Sequence, residues 1–212
     1  VEDLGELLAP MDRLRLNWRS SLRGENPTVI ICGCQSGDGE SVAAAAFATS
    51  LALSGQKVLL LDATVEGCIA GMLKLKNSPG LRDYLSGLEQ PSISYFIQNS
   101  SEFENLRLMA AGEAAYRQLG FRNLENIRNQ LGDKDEVLVV AVSALDRALE
   151  KSLFVFELLR PGVRMLMTLS LHQTLMEKLR LVAATLGGQK DVCIFLFRAE
   201  QRDLDSGAGS GI

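Results

Sequence analysis

Val29–Ser41 reads VIICGCQSGDGES, and the fold turns on how this stretch is read. Val29 to Cys32 is an apolar run of strand length, Gly33 to Gly39 is a glycine-rich turn, and Glu40 opens a helix. A strand, a turn rich in glycine and a helix N-terminus together build a phosphate-binding loop, usually of the form G-x-x-x-x-G-K-[ST]. In that frame Cys34 takes the first position, Gly39 the second glycine, Glu40 the place of the lysine and Ser41 that of the hydroxyl. The backbone cradle is kept and its cation has become an anion. Gly37, Asp38, Gly39, Glu40 and Ser41, with Asp62 at the end of the next strand, are the candidate residues of a vestigial nucleotide site.

Working outward, residues 3–23 carry apolar positions at helical spacing. Pro10 interrupts them, which predicts two short helices or a kink. From Met11 the segment alternates basic and apolar residues, so Arg13, Arg15, Asn17 and Arg19 form a candidate partner-binding face. A solvated face on a helix packed against the domain explains the same pattern. After the loop, Val42–Ser54 is an alanine-rich helix ended by Gly55, and Lys57–Asp62 is an unalternating apolar strand of the kind covered on both faces. That is a strand–helix–strand crossover. Short helices are expected over 79–86 and 91–98, strands over 106–110 and 136–142, the latter at the sheet centre, and a helix over 121–131. Beyond lie a helix over 145–159, a strand over 163–169, a helix over 172–186, a strand over 192–197 and a polar, glycine-rich tail. Strands alternating with helices predict an α/β doubly wound, mostly parallel sheet with helices on both faces. The division is a helical segment over 1–26, a P-loop-like domain over 27–200 and a flexible tail over 201–212.

With 212 residues, 47% of them hydrophobic and 23% charged, the chain suits one soluble domain with a real core. A net charge of −4 gives no global attraction to nucleic acid, and none is expected as a partner. No apolar run reaches the roughly 18 residues of a membrane span. The first residues carry acids instead of a basic signal segment, and opening on Val1 suits a processed or excised piece. Cys32, Cys34, Cys68 and Cys193 show no C-x-x-C spacing and sit in apolar contexts, so they read as reduced thiols of a cytoplasmic protein, most of them packing residues. His172 is the single histidine, far in sequence from any serine or cysteine of the loop, which argues against both a metal centre and a hydrolase.

This arrangement resembles the deviant-Walker P-loop ATPases of the MinD/ParA class, and most of all the cytoplasmic bacterial tyrosine kinases (BY-kinases) of capsule and exopolysaccharide synthesis. Their loop S-x-P-G-E-G-K-S stands here as residues 34–41, and their L-L-I-D-A-D as Leu59, Leu60, Leu61, Asp62, Ala63, Thr64. Their G-L-x-D-x-L-x-G appears as Gly80, Leu81, Asp83, Leu85, Gly87, and their N-L-x-x-L-x-A-G as Asn105, Leu106, Leu108, Ala111, Gly112. Of the helix motif R-x-L-R-x-N that joins family subunits in a ring, Leu14, Arg15 and Asn17 fit, while Asp12 replaces the first arginine. The resemblance implies a P-loop NTPase fold over roughly residues 9 to 198.

Its departures bear on chemistry. Phosphoryl transfer depends on positioning and charge stabilisation. Glu40 replaces a positive charge with a negative one. Each unit of charge at about 4 Å and an effective dielectric near 20 is worth about 4 kcal/mol, more than loop N–H groups and a helix dipole return. Asp38 and Glu40 also suit a first helical turn for structural reasons alone. Asp62 is kept, but the second acid of its motif is Thr64. The Walker B aspartate falls on Ala141, which offers Mg²⁺ no oxygen. Tyr84, Tyr95 and Tyr116 are the only tyrosines and none is near the tail, so autophosphorylation in the family's manner is not expected. The expectation is a catalytically inactive binding or scaffold protein, with ATP and Mg²⁺ bound weakly or not at all. Its implied partner is a membrane polysaccharide co-polymerase or another envelope-machine protein, met at the inner face of the membrane, with altered or weaker self-association as a homodimer. An active ATPase or tyrosine kinase with an unusual site, and a MinD/ParA-type positioning protein for a secretion or pilus system, are the alternatives.

Overall fold

A computed structural model describes residues 2–18, 22, 27–35, 37–87, 92–117, 119–134, 136–143, 163–170, 180 and 192–197. Strands β1 (Thr28–Gly33), β2 (Val58–Ala63), β3 (Gln98–Asn99), β4 (Leu106–Met109), β5 (Val137–Val142), β6 (Val163–Ser170) and β7 (Val192–Phe197) form one sheet in the order β3-β4-β2-β5-β1-β6-β7. All neighbours run parallel except β3, which lies antiparallel on β4. As the apolar run of 136–142 predicts, β5 is the central strand.

Both faces of the sheet are buried, which is why the strands read as unbroken apolar runs. On one face Val29, Ile31, Val58, Leu60, Val137, Val139 and Ala141 pack against α1 (Glu2–Trp18), α2 (Glu40–Leu53) and α3 (Ile69–Met72). On the other, Ile30, Cys32, Leu59, Leu61, Leu138 and Val140 meet α4 (Leu81–Ser86), a 3₁₀ turn (Ile93–Phe96) and α5 (Phe121–Leu131).

Helix α2 is buried nearly all round, because the sheet lies beneath it and α1 covers it. A helix enclosed on both sides has no polar stripe to show in its sequence. Its alanines let both layers approach closely, while Phe47 and Leu51 fill the gaps that remain. Helix α1 sits down through Met11 and Leu14. Trp18 meets Phe47 edge to face at 5.8 Å, and the Ser50 hydroxyl donates to Asp12 at 2.6 Å.

The expected break at Pro10 is not a division into two helices: α1 runs from Glu2 to Trp18 with Pro10 inside it. Proline removes one intrahelical hydrogen bond, and the packing of Met11 and Leu14 on α2 holds the helix across that gap. Two elements had no periodicity to announce them. The single turn α3 starts where Asp62 Oδ2 accepts the Ile69 N–H, a cap supplied from the preceding strand. The two-residue β3 follows the 3₁₀ turn that stands where a short helix is expected over 91–98. The helices expected over 145–159 and 172–186, and the tail, lie outside the described residues except for Arg180, which is helical.

Candidate functional site: the degenerate phosphate loop

The loop leaves β1 and curls back over its end. Gly37 (φ 94°) and Gly39 (φ 81°) adopt the left-handed conformation that favours glycine, so the backbone of a phosphate cradle is retained. The Gly39 carbonyl accepts the Ala43 N–H at 2.9 Å and starts α2. Gly33 is enclosed. A Cβ there would lie 2.9 Å from the Gln35 carbonyl oxygen, 3.0 Å from Glu40 Oε2 and 3.3 Å from the Asp38 Cβ. The Glu40 side chain therefore folds back beside the strand end inside the loop, and it is only 5% exposed. Segment 33–41 carries two carboxylates and no basic residue. Burial, then the Glu40 charge, then Cys34 push the Cys32 thiol well up, so the Glu40 charge reaches the end of β1.

Asp38 does not belong to the helix turn, contrary to the sequence expectation. Fully buried, it accepts the Gln35 N–H on Oδ2 at 2.9 Å and the Ser170 N–H on Oδ1 at 3.2 Å. It closes the loop on itself and ties it to the end of β6. Two further bonds reinforce that seam: Cys34 N–H to the Thr168 carbonyl at 3.1 Å, and the Thr168 hydroxyl to the Cys32 carbonyl at 3.3 Å. Thr168 and Ser170 are site residues that sequence reading passed over. Polar residues closing an apolar strand were the available signal.

Asp62 is also fully buried, and both its carboxylate oxygens are bonded within the protein. Oδ1 accepts the Thr64 N–H at 3.1 Å and the Thr64 hydroxyl at 2.6 Å, and Oδ2 accepts Ile69 N–H at 3.2 Å. Burial raises its pKa; the Thr64 and Ile69 hydrogen bonds and the Arg82 charge oppose that. Thr64, standing where the resemblance places a second acid, thus binds the first one. Ala141 lies in register beside Asp62 and Ile31 and is buried. Two residues past it the Ser143 hydroxyl oxygen accepts Val65 N–H at 2.7 Å.

The candidate partner face lies on α1, not around the loop. Arg13 and Asn17 are exposed, and Arg15 is half-buried beside Asp12 at 3.4 Å. Arg19 lies outside the described residues. Cys32 and Cys34 are buried free thiols as expected, whereas Cys68 is exposed, because it sits on the turn that leads into α3. Among the described residues no cluster of His, Cys, Asp and Glu could hold a metal ion, and no helix is long and apolar enough to cross a membrane.

No protein-family model matches the chain, and neither does any curated protein sequence. Solved structures do. The kinase domain of the Escherichia coli tyrosine kinase ETK matches with a TM-score of 0.65 at 18% identity, over 91% of this chain and 77% of that one. The VpsO kinase domain matches with a TM-score of 0.67 at 17% identity, over 93% and 95%. MinD from Aquifex aeolicus, in its complex with MinC, matches with a TM-score of 0.64 at 21% identity, over 86% and 72%. The fold is that of the MinD/ParA-like P-loop ATPases and the BY-kinase domains. Within this P-loop fold, the glycine-led backbone of the loop is present. The side chains around it form hydrogen bonds within the protein.

Proposed function

We propose that this protein keeps a P-loop fold as a binding or scaffold subunit without turning over nucleotide, and that it works through protein partners in bacterial polysaccharide biosynthesis or export. The observation that carries the first half is the Glu40 carboxylate, buried inside the loop beside Gly33. A triphosphate brought there meets a negative charge at the position where the common loop supplies a positive one. The residues present do not fit a magnesium nucleotide well. Asp62 is engaged by Thr64 and Ile69, and Ala141 offers no ligand. The second half rests on the ordered BY-kinase motifs, and the exposed Arg13 and Asn17 with the half-buried Arg15 supply a contact face on α1. The likeness to MinD, a protein solved with a protein partner, favours a positioning role as the second reading.

Titration calorimetry with Mg-ATP and Mg-ADP, up to millimolar ligand, tests the first half. No saturable heat is expected. Tight binding of either nucleotide would return the protein to the enzymes. Co-purification from the source cell separates the two partner classes: a polysaccharide co-polymerase supports the proposal, and a division, secretion or pilus component supports the positioning role.

A further inference from the structure

The geometry points to a clamp on the first turn of α4 that holds the loop between β2 and α3 in one conformation whether or not nucleotide is present. Arg82 and Asp83 are its two jaws. The Arg82 Nη2 donates to the Thr64 carbonyl at 2.8 Å and to the Val65 carbonyl at 2.6 Å, and its guanidinium lies 5.7 Å from the centre of the Tyr116 ring. Asp83 faces the other way. It accepts the Gly80 N–H at 2.8 Å, the Ala114 N–H at 3.0 Å and the Glu113 N–H at 3.4 Å. One turn of helix thus joins the loop after β2 to the loop after β4. Bonds to a charged partner are the stronger kind, and a single guanidinium bonding two successive carbonyls fixes their mutual orientation.

The same loop is held from two other sides, and one bond closes it internally. Ser143, at the end of β5, accepts Val65 N–H; Thr64 Oγ1 accepts Gly67 N–H at 3.1 Å; and Asp62 accepts Ile69 N–H. Asp62, Ser143 and Arg82 stand on β2, at the end of β5 and on α4, so the loop is tied to three separate elements. A loop that reports nucleotide needs two states of similar free energy. Here the Thr64 and Val65 carbonyls and the Val65, Gly67 and Ile69 amides are bonded within the protein in the state seen. The inference deepens the proposed function, because a scaffold requires one surface at this edge and a cycling ATPase requires two.

Hydrogen–deuterium exchange of the full chain, read on peptides spanning 64–69, tests it. In the wild type the Val65, Gly67 and Ile69 amides should exchange slowly, and millimolar Mg-ATP or Mg-ADP should change their rates by less than about twofold. Arg82→Ala should raise exchange across 64–69 by about tenfold or more, and Ser143→Ala should do so at Val65. If far-UV circular dichroism shows that Arg82→Ala does not fold, Ser143→Ala decides. Unprotected exchange in the wild type, a tenfold response to nucleotide, or wild-type rates in the folded variants would each overturn the clamp. Calorimetry on the same samples keeps the two readings apart. Nucleotide binding with unchanged exchange removes the inactive-subunit reading and leaves the clamp, while no binding with fast exchange does the reverse.

Discussion

Three carboxylates around the loop share a chemistry and differ in their work. Glu40 lies beside the end of β1, Asp38 ties the loop to β6, and Asp62 shapes the turn into α3. Asp62 gives a pH signature whose sign can be worked out. Burial raises its folded-state pKa above the ordinary 3.8, so between the two values the folded chain holds the proton more often than the unfolded one. The contribution of Asp62 to stability therefore falls as pH rises through that window, and Asp62→Asn cannot titrate. Urea midpoints of both proteins, taken at steps from pH 4 to pH 7, should show the wild type losing ground to the variant as pH rises. A difference that stays flat with pH, or grows in favour of the wild type, would contradict the direction of the shift. At this scale the positions of Glu40 and Asp62 were legible in the sequence. The partner of Asp38 was not, because Ser170 lies 132 residues away from it.

Elements joined by glycine make the next scale. The motifs at 80–87 and 105–112 look independent in the sequence, and the structure makes them one contact. Leu81 and Arg82 donate their N–H groups to the Ala110 and Ala111 carbonyls at 2.7 and 2.8 Å. A Cβ on Gly80 would strike the Ala110 carbonyl oxygen and lie 2.6 Å from the Gly112 nitrogen; one on Gly112 would lie 2.5 Å from Asp83 Oδ2, at a φ of 85°. Gly80→Ala and Gly112→Ala should each cost about 2 kcal/mol or more in denaturant unfolding. The double variant should cost less than the sum, since both break the same interlock. Gly71→Ala is the control: an added Cβ meets nothing within 4 Å, so a gain of up to about 1 kcal/mol is expected from helix propensity. Full additivity would show that the two glycines act separately.

Across the whole molecule, α1 is part of the core through Met11, Leu14 and Trp18 on α2. Trp18 is the single tryptophan, so its fluorescence reports on that contact alone. Its unfolding transition in urea should coincide with the far-UV circular dichroism transition of the whole chain. An earlier fluorescence midpoint would mean that α1 detaches before the sheet unfolds. The sequence by itself determined the parallel sheet, the central place of β5, the strand–loop–helix at 28–53 and the charge at position 40. Each of these is local: a run of apolar residues, a glycine spacing, an acid at a fixed offset. Only the tertiary structure decided that α2 is covered by α1, that Asp38 reaches β6, and that Arg82 and Ser143 meet on one loop. Those contacts join segments far apart in sequence, where spacing carries no information and only the folded chain brings donor and acceptor together.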